Sequence, residues 1–193
     1  MNTRFKFLKI NDVVVFSPNK FNDARGVFFE NINFNDLFNA TNYRFNTIQE
    51  NISISNSNTL RGLHFQKGAS AQSKIVSVIK GSILDIVVDV RPQSETFAEW
   101  ISYRLDDQSN ESLFIPVGFA HGFYVLEDKS MVSYKVDKPY DVSAECSILW
   151  NDKQLDIKWP NKSPLLSPKD EKALTFKENL DNNNFDSKGY FKI

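Results

Sequence analysis

The sequence predicts an all-β protein, a sandwich or jelly-roll barrel with short peripheral helices, and three observations carry that reading. Six segments, NISISNS, KIVSVIKG, SILDIVVDV, ESLFIPVGF, HGFYVLE and MVSYKV, alternate apolar and polar residues between turn formers, as short strands do. Their near-regular spacing suits architectures that close or pair sheets and so protect strand edges. The long helical crossovers that a parallel α/β sheet requires are missing.

The remaining elements follow in chain order. NFNDLFNA sets Phe34, Leu37 and Phe38 at helical spacing behind an asparagine cap, so a short helix is expected near residues 34–40. A second helix is expected after Pro168, in PKDEKALTFKENL, where the early acids suit the positive end of the helix dipole. The last stretch, DNNNFDSKGYFKI, is polar until its final aromatics and reads as a tail, with Phe185, Tyr190 and Phe191 as docking points. No internal repeat or linker interrupts the pattern. Residues 1–193 therefore read as a single domain, with a helical and tail extension from about residue 168.

Composition narrows the function classes. With 23 Lys and Arg against 24 Asp and Glu, the net charge is −1, which removes the broad positive field of a nucleic-acid binder. The single cysteine, Cys146, forms no intrachain disulfide and no thiolate zinc site, which suits a reducing compartment. The opening MNTRFKFLKI lacks a signal-peptide core, and the longest apolar run is broken by Asp85, well short of a membrane span. A soluble, cytoplasmic protein without nucleic-acid or membrane partners is expected.

Only two histidines occur, His64 in LRGLHFQ and His121 in IPVGFAHGFYV. Either one alone fits a hydrogen-bonded position in or near a core. Pro116, Gly118 and His121, however, form a P-x-G-x-x-H run that resembles the second motif of the cupin superfamily of small jelly-roll barrels. Many cupins hold a metal with an H-x-H pair; here His64 is followed by Phe65 and Gln66, and a metal would have to recruit carboxylates such as Asp85 or Asp170. The reading is therefore one without metal or organic cofactor, in which acids and bases do the chemistry, and imidazole suits that work near neutral pH.

Strand parity groups the candidates. Val132, Tyr134 and Val136 share one face, as do His121, Phe123 and Val125, so Tyr134 and His121 point inward if those faces line the barrel. Tyr134 taken alone equally fits a core aromatic. Asp85 and Asp89 share a face between Leu84, Ile86 and Val88, and a buried carboxylate needs a partner, for which His121 is the candidate. Arg61 and His64 stand three apart, so an ideal strand would send them to opposite faces; Gly62 permits a twist or bulge that would reunite them. Arg25, Arg61 and Lys74 have small or polar neighbours, and together would hold phosphate, although single basic residues are more often solvated surface.

Taken in order, FNDARGVFFE, IQENISISNSNTLRGLHFQ, AQSKIVSVIKGSILDIVVDVR, IPVGFAHGF, YKVDKPY, ILWND, IKWP and LSPKD resemble the dTDP-4-dehydrorhamnose 3,5-epimerase family over about residues 12 to 170. The resemblance implies a cupin-type jelly roll, a homodimer that exchanges N-terminal strands, no cofactor, and inversion of dTDP-4-dehydro-6-deoxy-D-glucose at C3 and C5 to dTDP-4-dehydro-L-rhamnose. It implies His64 as the base, Asp170 as its orienting carboxylate, Tyr134 as the proton donor, Lys74 and His121 as enolate stabilisers, and Asp85 as the residue orienting His121. For substrate binding it implies Arg25, Glu30, Gln49, Glu50, Asn51, Arg61, Tyr140, Glu145 and Lys169, besides Lys74 and His121, some of them reaching the partner's site. Gly68 and Ala69 stand where relatives often carry a Pro-Pro pair, and Cys146 with Ser147 replaces a commonly basic or glycine-containing stretch, so an altered pocket rim is expected. Three alternatives stay open: a monofunctional 3- or 5-epimerase, an epimerase of another nucleotide-linked 4-keto sugar such as a GDP-heptose, and a non-catalytic sugar-binding module.

Overall fold

Alternation resolves into strands throughout the computed structural model, which describes residues 3–10 and 12–185. In chain order these are β1 (Arg4–Phe7), β2 (Val14–Ser17), β3 (Lys20–Asp23), β4 (Gly26–Phe29), β5 (Gln49–Ser55), β6 (Leu60–Gln66) and β7 (Lys74–Lys80). There follow β8 (Ser82–Asp89), β9 (Trp100–Asp106), β10 (Ser112–Ile115), β11 (Phe119–Val125), β12 (Ser130–Val136) and β13 (Glu145–Ser147). The helices among the described residues are α1 (Phe34–Thr41), α2 (Pro168–Glu171) and α3 (Phe176–Asp181), and a 3-10 turn spans Gly68–Ser70.

Two antiparallel sheets form the jelly roll. The larger runs β1-β2-β10-β7-β12-β5, the smaller β13-β6-β11-β8-β9, and among the described residues β3 and β4 pair only with each other, as an exposed hairpin. Val15, Val76, Val78 and Val132 of the larger sheet share one buried cluster with Ile83, Val87, Phe123 and Val125 of the smaller. A second cluster covers the other face of the smaller sheet, where Leu63, Ile86 and Val88 meet Ile148, Leu155 and Phe176. On the far side of the larger sheet, Phe16, Ile75 and Phe114 pack under Leu37 of α1 and Phe45. Strand β8 is thus buried on both faces, which explains why SILDIVVDV is so nearly continuous in apolar residues.

Helix α1 matches its expectation: the Asn33 side chain accepts from the backbone N–H groups of Asn35 and Asp36, and the helix ends at Asn42 in the left-handed region. Two expectations need correction. ESLFIPVGF is not one strand; Pro116, which has no N–H for a ladder, and Gly118 at φ +95° carry the chain from β10 in one sheet to β11 in the other. Nor does one helix follow Pro168. The chain extends so that Leu174 bridges to Ile148, and Thr175 then starts α3 with a reciprocal cap to Glu178. Of the expected tail anchors, Phe185 is buried with its ring centroid 4.8 Å from that of Phe176, while Tyr190 and Phe191 lie outside the described residues. Among the described residues no helix is long and apolar enough to cross a membrane.

Candidate active site

The site begins with a register shift. Strands β6 and β11 pair so that His64 stands opposite His121 and Arg61 opposite Phe123, a step of three residues on one strand matching a step of two on the other. Gly62, at φ +113°, makes this possible: a Cβ there would sit 2.6 Å from the Gly122 Cα. The bulge removes the parity conflict, and Arg61 and His64 line the same cavity of about 580 Å³.

Two histidine–aspartate pairs occupy this cavity. His64 Nε2 lies 2.5 Å from Asp170 Oδ1, and the Ser167 hydroxyl donates to Asp170 Oδ2 at 2.9 Å. Asp170 is almost fully buried, and burial by itself would raise its carboxyl. The bonds from His64 and Ser167 and the nearby positive charges prevail and hold it below the usual range. An ionised carboxylate only accepts, so Nε2 of His64 carries the hydrogen, and in the neutral imidazole the lone pair is then on Nδ1.

The second pair is built differently. His121 Nε2 lies 3.0 Å from each oxygen of Asp85, in hydrogen-bond geometry only to Oδ2, so Oδ1 is buried without a hydrogen bond. Burial pushes the Asp85 carboxyl up, against the pull of His121 and Lys74. Lys74 enters from β7 and donates to the His64 carbonyl at 3.2 Å. Its own burial brings it down to about 8, despite the attraction of Asp85 and Glu145.

Tyr134 comes from β12, in the opposite sheet to both histidines, and lines the same cavity. Burial raises its phenol, outweighing the nearby Arg61, so it stays protonated and able to donate. Arg61 is fixed by its Nε donating to Ser55 Oγ at 3.0 Å. At the rim, Tyr140 donates to Glu145 Oε2 at 2.6 Å while Lys169 pairs with Glu145 Oε1. Burial opposes these bonds, but they prevail and hold the Glu145 carboxyl low. An adjoining lobe of about 320 Å³ adds Gln49 and Asn51, which are hydrogen-bonded to each other at 2.7 Å.

Most sequence candidates therefore converge: His64, Lys74, His121, Tyr134, Asp170, Arg61, Tyr140, Glu145 and Lys169 line the cavity, and Asp85 backs His121. Arg25, Glu30 and Glu50 are not among the described residues lining it. Arg25 pairs with Asp23 at the exposed tip of the β3–β4 hairpin, Glu30 accepts from Asn33, and Glu50 pairs with Lys135 on the outer face of β5. Of the departures expected to alter the rim, Gly68 and Ala69 enter the 3-10 turn beside Gln66, whereas Cys146 packs into the second cluster. Sequence reasoning missed Ser167 as a site residue. Its signal was the S-P-x-D run, an N-cap serine three residues before a carboxylate. No three His, Cys, Asp or Glu side chains converge as metal ligands among the described residues.

A jelly roll with a carboxylate-backed imidazole on one wall of its cavity and a phenol on the other carries the groups of an acid–base enzyme. Comparison with known proteins gives the family. The family profile of dTDP-4-dehydrorhamnose 3,5-epimerase matches residues 7–178. The Escherichia coli K12 enzyme of that name is 42% identical over 171 residues, covering 88% of this chain and 92% of the relative. The crystal structure of dTDP-4-dehydrorhamnose 3,5-epimerase from Elizabethkingia anophelis superposes with a TM-score of 0.89 at 37% identity, over 92% of this chain and 98% of that one. The 3'-monoepimerase ChmJ from Streptomyces bikiniensis, solved with dTDP-quinovose, superposes with a TM-score of 0.87 at 30% identity, over 92% and 90% of the two chains. The chain belongs to the dTDP-4-dehydrorhamnose 3,5-epimerase family.

Proposed function

We propose that this protein inverts dTDP-4-dehydro-6-deoxy-D-glucose at C3 and C5, giving dTDP-4-dehydro-L-rhamnose through enolate intermediates. The observation that carries the proposal is the placement of His64 and Tyr134 on opposite sheets around one cavity. Both carbons flank the C4 ketone, so each proton is acidified by the carbonyl. Inversion requires removal from one face and return to the other, which one residue on one wall cannot perform.

His64 takes the proton at Nδ1, while Asp170 holds Nε2–H and stabilises the imidazolium that forms. Negative charge then grows on O4. Lys74 and His121 are the donors aimed at it, and Asp85 steadies His121. Tyr134 returns a proton to the opposite face. Arg61 binds diphosphate or sugar, Tyr140 stacks near the thymine, and Glu145, Lys169, Gln49 and Asn51 complete the pocket.

We further infer a homodimer. Among the described residues the β3–β4 hairpin pairs with no other strand, and it exposes Phe21, Val27 and Phe28, so it suits delivery of Arg25 and Glu30 to a partner's cavity. Ile52, Ile54 and Ile79 on the outer face of the larger sheet are 59, 59 and 50% exposed, an apolar patch that a second copy would cover.

Deuterium incorporation from heavy water, followed by NMR at C3 and C5, tests the reaction. Enzyme-dependent exchange at both carbons, lost in His64→Ala, is the expected result. Exchange at one carbon only would select a monofunctional epimerase, the reading that the likeness to ChmJ favours. No exchange at either carbon by a folded protein would remove this substrate.

A further inference from the structure

Ser167 has no part in the reaction as written above, yet its hydroxyl makes two bonds to Asp170, one to its backbone N–H and one to its carboxylate. Helix α2 has only four residues, too few to persist on its own hydrogen bonds. It is held by its cap: the Ser167 oxygen accepts the Asp170 N–H at 3.2 Å, and Pro168 at the first helical position has its φ preset. The one hydrogen of that hydroxyl goes to Asp170 Oδ2 at 2.9 Å. Both Asp170 oxygens are thereby occupied, Oδ1 by His64 and Oδ2 by Ser167. The Asp170 side chain is only 3% exposed, which leaves water little access to replace a lost donor.

We propose that Ser167 is a positioning residue for the reaction, acting through Asp170 on His64; this rests on the roles proposed above for those two residues. By pinning Oδ2, it fixes the carboxylate so that Oδ1 faces Nε2 and the imidazole presents Nδ1 to the substrate carbon. By donating to the anion, it also keeps Asp170 a weak competitor for the proton that His64 accepts.

The test compares Ser167→Ala, Ser167→Gly and Ser167→Thr. Glycine caps a helix nearly as well as serine but carries no hydroxyl, so it separates capping from donation. For Ala and Gly the expected kcat for C3 and C5 exchange falls about 10- to 100-fold with KM little changed, and Thr recovers most of the loss. The acid limb of the kcat/KM profile moves to higher pH in Ala and Gly, because a dyad that has lost a donor to its anion binds a proton more tightly. A substrate-independent readout is the titration of the His64–Asp170 pair, followed through the His64 imidazole NMR signals; only one other histidine is present. A titration that shifts upward in Ala and Gly, in a protein that leaves the sugar untouched, would sink the substrate reading and keep the positioning role. Unmoved titration and unmoved kcat would overturn the role. So would a loss confined to KM, which would make Ser167 a substrate contact, or a Gly variant as active as wild type, which would make it a helix cap alone.

Discussion

His64 and His121 stand at the same register position on neighbouring strands, each with an aspartate at its Nε2. Asp170 belongs to a short helix laid over the cavity edge, has a donor on each oxygen, and is held as a carboxylate. Asp85 lies on β8 between the sheets, lacks a donor on Oδ1, and is pushed toward the neutral acid. The same two residue types thus make a carboxylate with a donor on each oxygen in one place and one with an unbonded oxygen in the other. Burial and donor count decide between these outcomes, and neither is a property of the residue itself.

The largest expected effect separates the two histidines. His64→Ala should lower kcat by about 10⁴-fold, the upper range for loss of a general base, and His121→Ala by about 10²-fold, the range for one lost oxyanion donor. Steady-state kinetics on both variants checks this, and a reversed order would exchange the assigned roles. Next comes Tyr134→Phe, for which net inversion should fall about 10²-fold while same-face exchange with solvent through His64 persists. Loss of exchange and inversion together would mean that Tyr134 does more than return the proton.

Lys74 sharpens the contrast through pH. As its charge is lost near pH 8, the enolate loses a cationic neighbour, so kcat should fall as pH rises through that value. Lys74→Arg, which stays charged, should remove this alkaline limb from the pH–rate profile even where the absolute rate is lower. A limb that persists in the variant would assign it to another group.

The smallest effects are on stability and have opposite signs. Asp85 is raised above its usual 3.8, so its ionised form costs stability at neutral pH, a cost relieved as pH falls toward that value. Asp170 is lowered below 3.8, so its contribution is present at neutral pH and is lost as pH falls through the folded value. Thermal melts at pH 7 should therefore show Asp85→Asn above wild type and Asp170→Asn below it, the first difference shrinking as pH falls toward 3.8 and the second only as pH falls below it. Shifts of the same sign would break the comparison.

Much of this was legible in the sequence, for identifiable reasons. Strand-length segments between turn formers located β5, β7, β8, β11 and β12: β5 alternates because one face is exposed, whereas β8 and β11 are buried along their length and read as apolar runs. The pattern failed for β6, where the Gly62 bulge breaks the period beside His64, and for ESLFIPVGF, where alternation continues across a change of sheet. The pairing of His121 with Asp85 followed from the cost of burying a lone carboxylate. Ser167 was overlooked because a serine before a proline looks like a helix cap, and its second bond appears only once Asp170 is placed.

The sequence by itself determined the all-β class, the capped helix at Asn33 and the set of reactive side chains, because these depend on local periodicity and on the chemistry of single residues. Tertiary structure alone decided that His64 and Tyr134 stand on opposite walls of one cavity. It also decided which aspartate is pushed up and which held low, and that burial brings Lys74 down to about 8. Those properties arise from long-range pairing of strands far apart in the chain and from the water that this pairing excludes, and no local pattern encodes either.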